Sequence, residues 1–258
     1  MATDTENTLT KHLFVLDLVA HADQPPRFSD LLRQSPYPKG TLHRLIKNLL
    51  AQNLLSYQPQ SQTYRTGLRL VGLAHNAWRQ SSLAPVSRPF VDRLAEITGQ
   101  TVHLAQLDGA HVLYSDKRNA QKPVQMFSDA GKIGPAYCTG VGKAMLAFLE
   151  DKDCDALIQQ QSFYQFTDNT LTSAAALKQE LREIRQAGYS TDREEHEPQI
   201  ICVAAPILST HGRVLGAVSV TTSAPVSELG QLLEFTPDLH ETARQIANAS
   251  EPWHFPHN

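Results

Sequence analysis

Apolar residues recur through the first fifty positions with the period of a helix. Leu9, Leu13, Leu16 and Ala20 fall on one face of a predicted first helix. The run His21-Ala-Asp-Gln-Pro-Pro ends it, because consecutive prolines cannot continue a helix. Ser29 is the expected N-cap of a short second helix over residues 30–34, with Leu31 and Leu32 inward. After the turn Ser35-Pro36-Tyr37-Pro38, a third helix is predicted over residues 39–52. Its Leu42, Leu45, Ile46 and Leu49 form an apolar stripe, and Thr41, Arg44, Lys47 and Asn48 fall on the other side. Short strands at residues 54–57 and 63–66 flank the polar run Gln58-Pro-Gln-Ser-Gln and predict a hairpin. The helical pattern returns at residues 68–80, with Leu70, Leu73, Ala74 and Ala77 on one side, and a hinge is expected at residues 81–85.

The second half alternates differently. A helix over residues 86–98 closes at Gly99, and strands at residues 101–107 and 111–116 form a hairpin around Asp108-Gly109. Residues 124–127 are expected to supply a third strand, and helices are expected at residues 139–150 and 174–187. Two β-branched runs, residues 200–208 and 214–221, form a second hairpin around His211-Gly212, and a helix over residues 227–249 closes the pattern. Hairpins mixed with helices predict an α+β fold with a largely antiparallel sheet. The expected divisions are a first domain over residues 1–67, a linker helix over residues 68–83 and a second domain over residues 84–258.

Composition adds limits. A chain of 258 residues with 41% hydrophobic and 19% charged residues reads as an ordinary globular protein of one large or two modest domains. Cys138, Cys154 and Cys202 are too few and too scattered for a disulfide framework or a Cys-based metal site, and fit a reducing cytoplasm. Neither a leader-like start nor an apolar run of roughly 18 residues occurs, so neither secretion nor a membrane partner is expected. The net charge of −3 conceals an asymmetry. Residues 1–80 carry nine Lys/Arg against five Asp/Glu, and the remainder 14 against 21. A basic first part beside an acidic second part points the first toward a polyanion.

Helix, turn, basic-faced helix and hairpin are the parts of a winged helix. In such an arrangement the start of the second motif helix meets base edges while flanking groups hold phosphates. Lys39, Thr41, His43, Arg44 and Lys47 have suitable chemistry at that end. Arg44 can grip guanine with two hydrogen bonds, and Thr41 can bond a phosphate or touch a thymine methyl. Gln62, Tyr64 and Arg65 of the hairpin can reach a neighbouring groove or backbone. A solvated basic helix face is the competing reading; the adjoining hairpin and the charge split favour DNA.

Further along, Thr139-Gly140-Val141-Gly142-Lys143 stands at a predicted helix start, where free N–H groups and the helix dipole favour a carboxylate or phosphate. A nucleotide P-loop is excluded, because Tyr137 and Ala144 occupy positions that need Gly and Ser/Thr. A helix capped by Thr139, with glycines for close packing, is the plainer alternative. The acidic run Asp192, Glu194, Glu195, His196 and Glu197 contains no H-E-x-x-H and reads as a solvated loop rather than a metal site. Cys202 lies in an apolar strand, where a thiol is usually buried and inert. No G-x-S-x-G elbow occurs. Neither catalysis nor a cofactor is expected.

These residues also carry a resemblance. Thr41-Leu-His43-Arg44 resembles the Thr-x-His-Arg run in the recognition helix of the IclR family of bacterial transcription regulators. Gly134-Pro-Ala-Tyr-Cys-Thr-Gly-Val-Gly-Lys143-Ala resembles that family's effector-domain signature. So do Gly188-Tyr-Ser-Thr-Asp192-Arg-Glu-Glu195, Ile201-Cys202-Val-Ala-Ala-Pro206-Ile and Gly216-Ala-Val-Ser219-Val. Together they cover nearly the whole chain in order. Two positions depart: Pro36 stands where the family usually has Gly, and Glu197-Pro-Gln-Ile200 lacks the usual glycine before the Cys-containing strand.

The resemblance implies an N-terminal winged helix-turn-helix joined by a linker helix to a GAF-like α/β effector-binding domain with a largely antiparallel sheet. It implies an effector site at Gly140, Val141, Asp192, Cys202, Ser219 and Thr221, with Met126 as an apolar wall, and a small organic acid or related carboxylate as effector. It further implies a homodimer, with a tetramer left open, acting on a palindromic double-stranded DNA operator, as a repressor more than an activator. The alternative is a metabolite-binding or hydrolytic module whose first domain serves only dimerisation.

Overall fold

A computed structural model describes residues 7–81, 83–121, 124–224 and 228–251. The chain divides into two compact units, residues 1–80 and 81–258.

In the first unit, Asn7 caps helix α1 (Thr8–Ala20), its side chain accepting from the Thr10 N–H at 2.8 Å. α2 (Phe28–Gln34) and α3 (Lys39–Ala51) follow, then strands β1 (Leu55–Gln58) and β2 (Thr63–Thr66), an antiparallel hairpin. Helix α4 (Leu68–Ser81) comes last. Leu42, Leu45, Ile46 and Leu49 of α3 are buried as the periodicity predicts, against Leu31, Tyr37 and Leu55. α1 corrects the expectation: Val15, Leu16 and Val19 are buried, whereas Leu9 and Leu13 are 65% and 48% exposed. Apolar residues cover more than half of this helix's circumference, so periodicity does not single out one face. The cap of α2 is also displaced. Arg27 is the N-cap, its N–H donates to the Asp30 carboxylate at 3.0 Å, and Ser29 lies inside the helix. The side of α4 carrying Leu73, Ala74 and Ala77 is exposed, as are Leu68 and Val71.

The second unit opens with α5 (Ala84–Thr98), whose first turn takes up Ala84 and Pro85 of the expected hinge; residue 82 lies outside the described residues. Gly99 ends α5 in a left-handed conformation at φ 63, which glycine adopts without penalty. The elements that follow are β3 (Thr101–Asp108), β4 (His111–Arg118), β5 (Ile133–Pro135), α6 (Gly140–Ala147), α7 (Asp151–Ile158) and α8 (Ala174–Ala187). β6 (Ser190–Arg193), β7 (Ile200–Leu208), β8 (Val214–Ser223), α9 (Leu229–Leu233) and α10 (Thr236–Ser250) complete the unit. Six strands form one sheet in the order β5-β4-β3-β8-β7-β6, every neighbouring pair antiparallel. α5 and α10 pack together on one face, and α6, backed by α8, covers the other.

Three expectations are corrected here. Residues 124–127 form no strand: the Phe127 N–H donates to the Glu197 carboxylate at 2.8 Å, and β5 takes the edge position instead. The helix expected over residues 139–150 ends at Ala147, and α7 begins at Asp151. The closing helix is two helices, since Pro237, which has no N–H to donate, sits in the first turn of α10; Ser227 lies outside the described residues.

Candidate DNA interface and ligand cavity

Burying one stripe of α3 leaves its other stripe outward. Lys39, His43, Arg44 and Lys47 are exposed and Thr41 is half-buried. No side chain caps α3, whose N-cap is Pro38, so its first N–H groups remain available near Lys39 and Thr41. His43 stands edge-on to Phe28 of α2, at 6.1 Å between ring centroids. On the hairpin, Arg65 is exposed. Tyr64 instead leans on the unit's core and on Tyr57, 5.1 Å away, and burial followed by Tyr57 raises the pKa of its hydroxyl. Its ring is thus partly spent on packing. Arg65 and Gln62, the latter at φ 55 in the hairpin loop, are the freer groups.

In the second unit, strand register brings distant residues into line. Asp192 of β6 pairs with Cys202 of β7, which pairs with Thr221 of β8. Two positions along β8, Ser219 pairs with His103 of β3. Alternate residues of a strand share a face, so these side chains stand together under α6. There they line a small cavity that is partly open to solvent. Six of the seven positions implied by resemblance line it: Gly140, Val141, Asp192, Cys202, Ser219 and Thr221. Met126 does not; with residues 124–127 outside the sheet, Ser128 faces the cavity instead.

The start of α6 comes very close to the sheet. A Cβ on Gly140 would lie 2.4 Å from Cys202 Sγ, and one on Gly142 would lie 2.3 Å from the Ala136 carbonyl. The Ser190 hydroxyl donates to the Gly140 carbonyl at 2.6 Å. Thr139 is the N-cap residue, but its hydroxyl donates to the Pro135 carbonyl at 2.7 Å instead of capping the helix. The first N–H groups of α6 are therefore uncapped by a side chain at the edge of the cavity.

One turn into α6, Lys143 is wholly buried, and its ammonium pairs with Glu180 of α8 and Glu195, both at 2.5 Å. Burial alone lowers a lysine pKa, but the charges of Glu195 and Glu180 outweigh it and hold Lys143 above its ordinary value. Asp192 accepts from the Glu195 N–H at 2.9 Å. Burial, then the Glu195 charge, push its carboxyl up to about 7 against the opposing pull of Lys143. The acidic run is thus no solvated loop: Asp192 and Glu195 belong to a buried charge network. Burial first, then Asp192, raise the thiol pKa of Cys202, which leaves it a neutral wall group.

The cavity also contains residues outside the expected effector set: His103, Tyr114 and Ser128, which the sequence did not single out, and Thr139, His196, Glu197 and Ile200. His103 is held between hydroxyls, with Nε2 2.9 Å from Ser128 Oγ and Nδ1 3.2 Å from Thr221 Oγ1. Burial, then Lys117, lower its pKa to about 3, so the ring is neutral. At the mouth, His196 stands edge-on to Phe127 and Phe166. A polar residue within an apolar strand, as His103 is in Thr-Val-His-Leu-Ala, was the available signal.

Both units have counterparts among known proteins. Residues 8–59 match the model of the IclR helix-turn-helix domain, and residues 75–248 that of the bacterial transcriptional regulator IclR C-terminal domain. The HTH-type transcriptional regulator XynR of Escherichia coli is 28% identical over 94% of this chain and 96% of its own. The transcriptional repressor IclR of the same organism is 27% identical over 96% and 91%. The crystal structure of the Thermotoga maritima IclR superposes with a TM-score of 0.77 at 26% identity, covering 94% of this chain and 98% of that one. With the helix-turn-helix domain and the C-terminal domain matched in order, the chain belongs to the IclR family of bacterial transcriptional regulators and is a ligand-responsive DNA-binding regulator.

Proposed function

We propose that the chain is a homodimeric repressor that acts in the cytoplasm on a palindromic operator, releases or rearranges on it when a small organic acid enters the α6 cavity, and catalyses no reaction. The gathering of Gly140, Val141, Asp192, Cys202, Ser219 and Thr221 around one cavity carries this reading. The α6 N–H groups take the acid's carboxylate, and Asp192, Ser219 and Thr221 bond its remaining polar group. Lys39, Thr41, His43, Arg44 and Lys47 meet the major groove, with Arg65 and the edge of Tyr64 toward the flanking backbone.

One short recognition helix reads only a few base pairs, so two copies on a two-fold site are expected. The exposed apolar side of α4 is the proposed pairing surface. No described helix is long and apolar enough to cross a membrane. A mobility-shift titration with the DNA upstream of its own gene, at physiological salt, tests the first half of the proposal. Equal affinity for that fragment and for random DNA overturns it. Adding small carboxylic acids to the complex tests the second half, which requires at least one to change operator affinity.

A further inference from the structure

In the first unit, α3 ends against the start of α4. Gln52 is the C-cap of α3, and the chain turns sharply after it. The Asn53 N–H donates to the Leu50 carbonyl and the Leu54 N–H to the Leu49 carbonyl, both at 2.9 Å, with Asn53 left-handed at φ 54. The Gln52 carbonyl is met by a residue of another helix. Arg69 Nη1 of α4 donates to it at 2.9 Å and to Gln52 Oε1 at 2.9 Å. The last turn of α3, residues 48–51, reads Asn-Leu-Leu-Ala and contains no basic residue. Arg69 thus supplies from outside the cation that the negative end of the helix dipole favours.

The backbone is joined at the same place. The Gly67 N–H donates to the Leu54 carbonyl at 2.8 Å, and a Cβ on Gly67 would lie 2.0 Å from the Asn53 carbonyl oxygen, so the chain passes there only as glycine. Leu70 packs on the core of the unit. Leu68 and Val71, three positions apart, share the exposed side of α4, where Arg69 and Leu70 do not lie. One helix therefore grips the end of α3 and presents an apolar stripe elsewhere. The Leu70 contact is non-directional and permits tilting, whereas the Arg69 bonds weaken steeply with angle and fix the tilt. A 14-residue helix is roughly 21 Å long, so a tilt of roughly 10° at its start carries its far end about 3.6 Å, close to the rise of one base pair.

We infer that Arg69 is a positioning residue for operator reading: by fixing α4 on the end of α3 it sets the separation of the two recognition helices in the dimer, and with it the half-site spacing that the protein accepts, without itself touching DNA. The inference rests on the reading of α4 as the pairing surface. It gives Arg69 and Gln52 a role that the DNA-facing residues of α3 and the hairpin do not include.

The test uses a duplex selected by the full-length protein from a random pool, together with derivatives whose half-sites are moved apart or together by one base pair. One base pair turns a half-site by about 35° against its mate, so the parent should lose at least about tenfold in affinity on either derivative. Arg69→Ala should bind the selected duplex about tenfold more weakly, the scale of one mismatched base pair, and lose less than about threefold when the spacing changes. Arg69→Lys, whose ammonium can meet both acceptors, should restore the sharp spacing dependence. If the alanine variant does not fold, Gln52→Ala, which removes one of the two acceptors, should still flatten the profile in part. A phosphate contact by Arg69 would instead weaken every spacing alike and lower the salt-dependence slope by about one, and a simple loss of folded protein would scale all affinities together; either result overturns the inference. So does an alanine variant that sediments as a dimer and keeps the parent's spacing profile, which leaves the pairing reading standing. A parent with no spacing preference sinks the pairing reading as well.

Discussion

Gly140 approaches Cys202 so closely that a single added methyl group would stand 2.4 Å from the thiol sulfur. The other neighbours of that methyl, Ala204 Cβ and the Asp192 N–H nitrogen, would be at 3.6 Å, an ordinary contact. Gly140→Ala should therefore push α6 off the sheet and cost about 1–3 kcal/mol, as overpacking does. Adding Cys202→Ala removes the obstructing sulfur and should recover most of the loss. Thermal unfolding of the single and double variants checks this, and a double variant no more stable than Gly140→Ala would refute the contact.

Asp192 sets a pH dependence. Its folded-state pKa of about 7 lies above the ordinary value of 3.8. The folded chain thus holds a proton that the unfolded chain has lost across that window, so this group's stabilising contribution is full at low pH and is lost as pH rises through 7. Asp192→Asn keeps an oxygen for the Glu195 N–H and removes the ionisation. The variant should unfold a few degrees higher than the parent at pH 8, given about 2–4 °C per kcal/mol for a unit of this size. The gap should narrow as pH falls and nearly close only below the unfolded value of 3.8. A loss of stability at pH 8 would count against a strained Asp192.

Among the described residues Lys143 is the only cation paired with Glu195, and the second Glu195 oxygen is buried without a hydrogen-bond partner. Lys143→Met should cost about 3–5 kcal/mol, because it strands a buried charge. Glu195→Gln in the same chain should restore part of it. Denaturant titration of the two variants distinguishes this from a simple packing loss, which the glutamine would not repair.

On the DNA side, Arg44 and Lys47 are exposed and neither forms a salt bridge among the described residues. Arg44→Ala should weaken operator binding by about 1–3 kcal/mol and relax base preference at one position. Lys47→Ala should weaken all sequences alike and reduce the salt-dependence slope by about one. Melting temperatures should be unchanged. Operator affinity equal to the parent's in both variants removes α3 as the reading helix.

Leu68 and Val71 of α4 are 86% and 64% exposed in the single chain. Val71→Glu should shift sedimentation toward monomer and lower operator affinity together. A variant that stays dimeric assigns the pairing to another surface.

Legibility from sequence followed how sharply each segment separates its polar and apolar sides. α3 does so cleanly, and both its core stripe and its outward residues fall where the periodicity puts them. α1 is apolar around most of its girth, and its inward face could not be told. β5 has three residues, Ile-Gly-Pro, and β6 has the polar run Ser-Thr-Asp-Arg; neither shows the alternation of a half-buried strand. The Asp192, Cys202, Ser219 and Thr221 positions were reachable through motif resemblance. His103 was not, since it meets Thr221 across 118 positions of chain, and only the pairing of β3 with β8 joins them.

That pairing also sorts two tasks onto opposite sides of the same strands. His103, Cys202, Ser219 and Thr221 face the cavity, whereas their immediate neighbours Val102, Leu104, Val203, Val218 and Val220 are buried on the side covered by α5 and α10. If this cavity is the effector site, positions 103, 219 and 221 are thus free to drift in ligand preference while the intervening positions preserve the scaffold. Descendants of such a sensor can change what they detect by point substitution, whereas a one-residue insertion in β8 would exchange the two roles and forfeit both.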